Sequence, residues 1–277
     1  MKIGFIGTGN MGSILVSSFI EAKAIEASSV MVTNRTIAKA NALQERYSAL
    51  QVAPSAQEVI AFANIIFMCV KPHQFMDILP SHQQWFTKEK LLVSITSPLQ
   101  CEELEKVVPC SVARAIPSIT NRALAGASLL TFGTRCTAKQ KEQLQTLFDS
   151  ISTPLLINND ITRVSSDIAS CGPAFIGYVL QCMINSAVAQ TKISNEQATE
   201  LTSQMIIGMG KLLEKKIFTL PTLVEKVCVK GGITGEGIKI LQEDVEHVFD
   251  KVIQRTHEKY DDERAKIAQQ FQAHHSS

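Results

Sequence analysis

Gly7-Thr8-Gly9-Asn10-Met11-Gly12 follows directly on a short apolar strand, Lys2-Ile3-Gly4-Phe5-Ile6, and opens a helix. Three glycines at this spacing limit what such a chain can build. The first permits a tight turn, the second lets backbone approach a pyrophosphate, and the third lets helix and strand pack closely. The pyrophosphate would rest on the helix N-terminus, where unpaired N–H groups and the helix dipole favour negative charge. A second strand, Ser29-Val30-Met31-Val32-Thr33, ends at Asn34-Arg35-Thr36. An NAD site places a carboxylate there, on the ribose 2′-hydroxyl. None is present. Arg35 supplies a cation that suits a 2′-phosphate, so the residues point to NADP, with NADPH preferred over NADH. The competing readings are a glycine turn without a ligand and a solvated surface arginine.

The chain has 277 residues, 45% hydrophobic and 19% charged, with a formal net charge of +1. That length has room for about two domains. The charge gives no reason to expect nucleic acid or an anionic membrane as a partner. Seven scattered cysteines, none in CxxC spacing, suggest reduced thiols and disfavour a zinc site; no metal is expected. No signal peptide is recognisable, and no apolar run reaches the roughly 18–20 residues needed to span a bilayer. A soluble, cytoplasmic protein is expected.

The first half alternates strands and helices. Asn64-Ile65-Ile66-Phe67-Met68-Cys69-Val70 is continuously apolar, as in a strand buried on both faces of a parallel sheet. Further strands are expected at Leu91–Ile95, Ser111–Ala115, Ala127–Phe132 and Pro154–Ile157. This order predicts a doubly wound α/β domain, Rossmann-type, over residues 1–158. Residues 159–277 read as an all-helical domain. Its helices are expected over Ile161–Ala169, from Pro173 to about Thr191, from Ser194 through Lys215, over Leu220–Val227, and from Ile238 onward. His257–Gln269 reads as a solvated charged face.

Three further stretches can carry chemistry. Cys69-Val70-Lys71-Pro72 ends the fourth strand, at the edge where doubly wound sheets bind ligands; Val70, Lys71 and Pro72 are candidate cofactor contacts. The bland alternative is a strand stopped by proline. Ser170-Cys171-Gly172-Pro173-Ala174 opens a helix whose N–H groups could hold a carboxylate, or is merely a helix with proline in its first turn. Lys230-Gly231-Gly232-Ile233-Thr234-Gly235 combines adjacent glycines with a hydroxyl, the makings of an anion nest.

Together these segments resemble the pyrroline-5-carboxylate reductase family. That family has a GxGxMG-type turn, an Asn-Arg or similar pair, VKP, PNTPA, SGSGPA and PGGTT. The chain shows Gly7–Gly12, Asn34-Arg35, Val70-Lys71-Pro72, Pro117, Gly172-Pro173-Ala174 and Gly231-Gly232-x-Thr234 in the same order and spacing. Departures cluster on the substrate side. PNTPA is replaced by Pro117-Ser118-Ile119-Thr120-Asn121, SGSGPA by Ala169-Ser170-Cys171-Gly172-Pro173-Ala174, and PGGTT by Lys230-Gly231-Gly232-Ile233-Thr234. Val229 stands where Ser or Thr is usual, and Thr96-Ser97-Pro98 replaces AAG after the fifth strand.

The resemblance implies an NADPH-dependent reductase of a cyclic imine, converting L-pyrroline-5-carboxylate to L-proline. It implies Thr234 as the catalytic hydroxyl and Cys171, Gly172, Gly231, Gly232 and Thr234 as substrate contacts. It also implies Gly7, Thr8, Gly9, Asn10, Met11, Gly12, Asn34, Arg35, Val70, Lys71 and Pro72 as cofactor contacts. A homodimer through the C-terminal helices follows from the same resemblance, with Met183, Ile184, Met205, Ile206 and Met209 as candidate apolar surface. Two rivals remain. One is an NADP-binding protein with altered substrate loops and a regulatory or non-catalytic role. The other is a β-hydroxyacid dehydrogenase, which needs Lys followed four residues later by Asn; here Lys211 is followed by Lys215.

Overall fold

A computed structural model describes residues 1–275. Eight strands form one sheet: β1 Ile3–Ile6, β2 Val30–Thr33, β3 Gln51–Val52, β4 Ile65–Met68, β5 Leu91–Ser94, β6 Ser111–Ile116, β7 Ala127–Phe132 and β8 Thr153–Leu156. Their order is β3-β2-β1-β4-β5-β6-β7-β8. The first six run parallel, β7 is antiparallel to β6, and β8 is parallel to β7. The order reverses between β1 and β4, which opens a crevice beyond their C-terminal ends.

The helices of this part are α1 Asn10–Glu21, α2 Ile37–Arg46, α3 Ala56–Phe62, α4 Phe75–Ile78, α5 Cys101–Glu105, α6 Ala138–Asp149 and α7 Thr162–Ser166. Starts follow local chemistry. Ser55 accepts from the Glu58 amide at the head of α3, and Thr137 and Gln140 form a capping box at α6.

Alternation along the inner strands sends side chains to both faces, which explains the continuous apolar run of β4. Phe5, Ile65, Phe67 and Val93 join Phe19 of α1 and Phe148 of α6 on one face. Ile6, Ile66, Met68 and Leu92 join Val59, Phe75 and Leu104 on the other. Phe5 stacks on Phe67 at 4.8 Å between ring centroids, and Phe148 meets Phe19 edge-on at 5.4 Å. Arg114 of β6 is fully buried. Its guanidinium donates to the carbonyls of Ser97 and Leu99, to the hydroxyls of Thr131 and Thr162, and to Asn159 Oδ1.

The chain divides into two compact units, residues 1–172 with 256–277, and residues 173–255. The sequence reading put the change of domain after residue 158, and the compact units divide after residue 172. Arg114 holds Asn159 and Thr162 to the first unit, which carries α7 and one π-helical turn, Asp167–Cys171, with it. The second unit contains most of α8 Gly172–Gln190, then α9 Asn195–Glu214, α10 Leu220–Val227, α11 Ile233–Asp244 and the start of α12 Glu246–His275. Helix α11 begins at Ile233, five residues before the expected Ile238, because the turn ends at Gly232, which takes the N-cap position.

Residues Thr162–Gln190 form one helical run long and apolar enough, by length and composition, to cross a membrane. Residues 168–191 carry no charge, but Ser170, Gln181, Asn185 and Ser186 interrupt their apolar residues, so no uninterrupted apolar run reaches spanning length. The stretch His257–Gln269 is not a wholly solvated face. Ile267, with Phe271 just beyond it, is buried in the core of the first unit. Phe148→Ala should lower unfolding free energy by about 3–5 kcal/mol, because it opens a cavity against the rings of Phe19 and Phe67. Denaturant unfolding checks this; a midpoint equal to that of the parent would refute the assigned core.

Candidate functional site

The glycine turn sits where the sheet order reverses, and each glycine has its own reason. Gly7 has φ +101°, and a side chain there would strike the Cys69 carbonyl. A Cβ on Gly12 would overlap the Gly7 carbonyl oxygen and press on the Cys69 side chain, so α1 approaches the ends of β1 and β4 only because Gly12 has none. At Gly9 nothing lies within 4 Å of an added Cβ. The backbone is bare and open at the point where a pyrophosphate needs it.

Side chains hold this shape. The Thr8 amide donates to Asn34 Oδ1 at 3.0 Å, and Asn34 Nδ2 donates to the Thr36 carbonyl at 2.9 Å. Asn34 thus ties the turn after β1 to the turn after β2. Ser13 Oγ donates to the Thr8 carbonyl at 3.0 Å. The Thr8 hydroxyl oxygen is buried without a hydrogen-bond partner, which leaves one polar group free for a ligand.

These turns line a crevice of about 840 Å³ that includes Gly7, Gly9, Asn34, Arg35, Val70 and Lys71. Arg35 is exposed and has no hydrogen-bond or ion-pair partner among the described residues. Lys39, in the first turn of α2, lines the crevice beside it and is not among the residues singled out from the sequence. Its signal was available, since residue 39 falls in the first turn of the helix that follows Arg35. Asp77 is the one carboxylate among the described lining residues. The charge balance and the bare Gly9 backbone fit a dinucleotide carrying an extra phosphate. Of the expected cofactor residues, Thr8, Asn10, Met11 and Gly12 build the turn and the first turn of α1 without appearing in that lining, and Pro72 lies just beyond it. Burial pushes the Cys69 thiol well above its usual range.

The expected substrate residues fall in both units. In the first, Ser170 Oγ donates to the Pro117 carbonyl at 2.9 Å, which joins two of the segments picked from the sequence. Cys171 closes the π-helical turn, its sulfur 3.3 Å from Arg163 Nη2, and Gly172 begins α8. In the second, Gly231 has φ +75° and the Gly232 amide donates to the Val229 carbonyl at 2.9 Å. Thr234 is exposed in the first turn of α11, and no described residue bonds its hydroxyl.

The second unit leaves much apolar surface uncovered. Tyr178 is 73% exposed and Ile233 93%, and Ile176, Val179, Met183, Leu201, Met205 and Val224 are also exposed. Of the five residues expected on this surface, Ile184 is instead buried, and Ile206 and Met209 are half-buried, because those faces of α8 and α9 turn inward.

Comparison with known proteins gives two family-model matches. Residues 2–98 match a model described as NADP oxidoreductase coenzyme F420-dependent, and residues 159–263 match pyrroline-5-carboxylate reductase dimerisation. ComE operon protein 4 of Bacillus subtilis is 52% identical over 98% of this chain and 99% of its own. Pyrroline-5-carboxylate reductase 3 of the same organism is 28% identical over 94% of this chain and 96% of its own. Among solved structures, Plasmodium falciparum pyrroline carboxylate reductase with NADP bound superposes with a TM-score of 0.81 at 22% identity, covering 96% of this chain and 98% of that one. The Coxiella burnetii reductase gives 0.84 at 22% identity, covering 94% and 97%. These two show the shared fold. With a half-identical relative along almost its whole length, and reductases matching both its sheet and its helices, the chain belongs to the pyrroline-5-carboxylate reductase family.

Proposed function

We propose that this chain binds NADPH in the crevice at Gly7–Gly12 and reduces a cyclic imine carboxylate, L-pyrroline-5-carboxylate, to L-proline. The observation that carries the reading is the crevice itself: bare Gly9 backbone, the N-terminus of α1, and the unpaired Arg35 beside Lys39 lie along one continuous surface. Arg35 and Lys39 bind the 2′-phosphate, the amides of α1 bind the pyrophosphate, and Val70 and Lys71 flank the adjoining ribose. Bound NADPH supplies the hydride.

The chain's own task is placement. A cyclic imine nitrogen is basic enough to take a proton, and the resulting iminium is a good hydride acceptor, so holding two molecules in contact accounts for most of the rate. Thr234 hydrogen-bonds the imine nitrogen. The amides at and beside Gly231 and Gly232 hold the carboxylate. A second copy of the chain covers the exposed apolar helices of residues 173–255. A surface this apolar is rarely left in water, and the matched dimerisation segment includes it.

A second reading has its own support. Cys171, Val229 and Lys230 replace the family's usual residues on the substrate side, and the half-identical relative is named for an operon rather than a reaction. An NADP-binding protein without turnover would show the same crevice.

Four outcomes are expected. Purified protein should consume NADPH when given pyrroline-5-carboxylate; binding without consumption would favour the second reading. Thr234→Ala should lower kcat by about 100-fold with little change in NADPH affinity, the usual loss for one aimed hydrogen-bond donor; unchanged turnover would remove Thr234 from the mechanism. Arg35→Ala should weaken NADPH binding by about tenfold and leave NADH unchanged, since only the former carries the extra phosphate; an unchanged preference would refute the assignment. Solution scattering should give the mass of a dimer, and a monomer at micromolar concentration would contradict the covered face.

A further inference from the structure

The strand order fixes the direction in which a dinucleotide lies. Arg35 follows β2, Gly9 follows β1 and Val70 follows β4, and these strands are neighbours in that sequence. With the 2′-phosphate on Arg35 and the pyrophosphate on Gly9, the nicotinamide end points toward β5. Ile6, Met68 and Ser94 are paired in register across β1, β4 and β5. The segment that follows β5, Thr96-Ser97-Pro98-Leu99, therefore leaves the sheet at the same edge as Cys69–Lys71.

This segment has no helix or strand of its own, and its carbonyls are held by side chains. Ser97 O accepts from Arg114 at 3.1 Å and from the Tyr260 hydroxyl at 3.4 Å. Pro98 O accepts from Arg264 Nη1 at 2.9 Å. The same Arg264 nitrogen is 3.1 Å from Glu103 Oε2, the oxygen that caps α5 through the Gln100 amide. Two of the three donors thus come from α12, more than 160 residues further along the chain.

The helix that supplies them is anchored at both ends of its run. Ile267 and Phe271 are 4% and 9% exposed in the core of the first unit. Thr256 Oγ1 donates to the buried Asp167 at 2.7 Å, and Asp167 also pairs with Arg163 at 2.8 Å. Asp167 starts the π-helical turn that ends at Cys171. Thr256, Tyr260, Arg264, Ile267 and Phe271 are spaced four, four, three and four residues apart, one stripe of a helix. Arg264, Ile267 and Phe271 lie beyond residue 263, where the match to the dimerisation model stops.

We propose that Tyr260 and Arg264 are positioning residues: they fix Thr96–Pro98 as the wall against which the nicotinamide end of the cofactor rests. This inference rests on the cofactor crevice proposed above. It assigns the end of α12 a role at the cofactor site, separate from any role in dimerisation. A nicotinamide ring offers few polar handles, so its placement depends on a firm wall more than the phosphates' does. Without the two side-chain donors, Ser97 O keeps only Arg114, and Pro98 O loses its partner.

The test compares two ligands on the full-length protein by calorimetric titration: NADPH, and 2′-phospho-ADP-ribose, which lacks the nicotinamide. Arg264→Met should weaken NADPH binding by about fivefold, the effect of losing one hydrogen bond at the wall, and leave 2′-phospho-ADP-ribose binding unchanged. Arg264→Lys should recover part of the loss. Tyr260→Phe removes a single hydroxyl with no change in packing, and should shift NADPH alone, in the same direction. Equal weakening of both ligands, or no change in either, would overturn the proposal while leaving the crevice intact. Failure of the unaltered protein to bind 2′-phospho-ADP-ribose would overturn the crevice and this inference with it.

Discussion

The close approach of α1 to the ends of β1 and β4 governs the rest of the site. Gly12 is in contact with the Gly7 carbonyl and the Cys69 side chain, and no larger residue fits there. That contact sets the helix N-terminus at the reversal of strand order, where its free amides can meet an anion. It also sets the level of the neighbouring turns. Asn34 can reach the Thr8 amide only because the turn after β1 lies beside the turn after β2. In the proposed complex the affinity for phosphate is a backbone property, and Arg35 and Lys39, which line the same crevice, would add the choice between one nucleotide and another.

The two units are stabilised by different means. The first buries two apolar layers, one on each face of its sheet, and uses the fully buried Arg114 to tie loops to strands. Burying this guanidinium is tolerated because five oxygen acceptors receive the N–H groups of its two terminal nitrogens, Nη1 and Nη2, although Nε has no partner among the described residues. The second buries little by itself; Ile184, Ala198 and Thr202 are its buried side chains among the described residues. Its apolar helices need a partner surface, which accounts for a helical run apolar enough to resemble a membrane segment in a chain of this family.

Features built from local signals were legible in the sequence. The glycine turn, the strand β4 with its two buried faces, the helix that opens at Ser194 and the Asn34-Arg35 pair all depend on residues within a few positions of one another. What escaped depends on distant partners. Nothing near Ala127–Phe132 says that β7 runs antiparallel to β6. The division between units moved because Arg114 grips residues 45 and 48 positions further along. The charged look of His257–Gln269 hid a stripe of Tyr260, Arg264 and Ile267, whose burial depends on a sheet formed 160 residues earlier. On the substrate side the sequence marked the turns at Ser170–Ala174 and Lys230–Gly235. Ser170 joins Pro117, while Thr234 belongs to the other unit, a separation that local spacing does not reveal.

The proposed occupant of the crevice at Gly7–Gly12 is a dinucleotide with a 2′-phosphate. Parallel titrations of the unaltered, full-length protein with NADPH and NADH, at one ionic strength, test it most directly. Two cations facing a single extra phosphate predict that NADPH binds at least about tenfold more tightly. Equal affinity for the two, or no binding of either, would contradict the account.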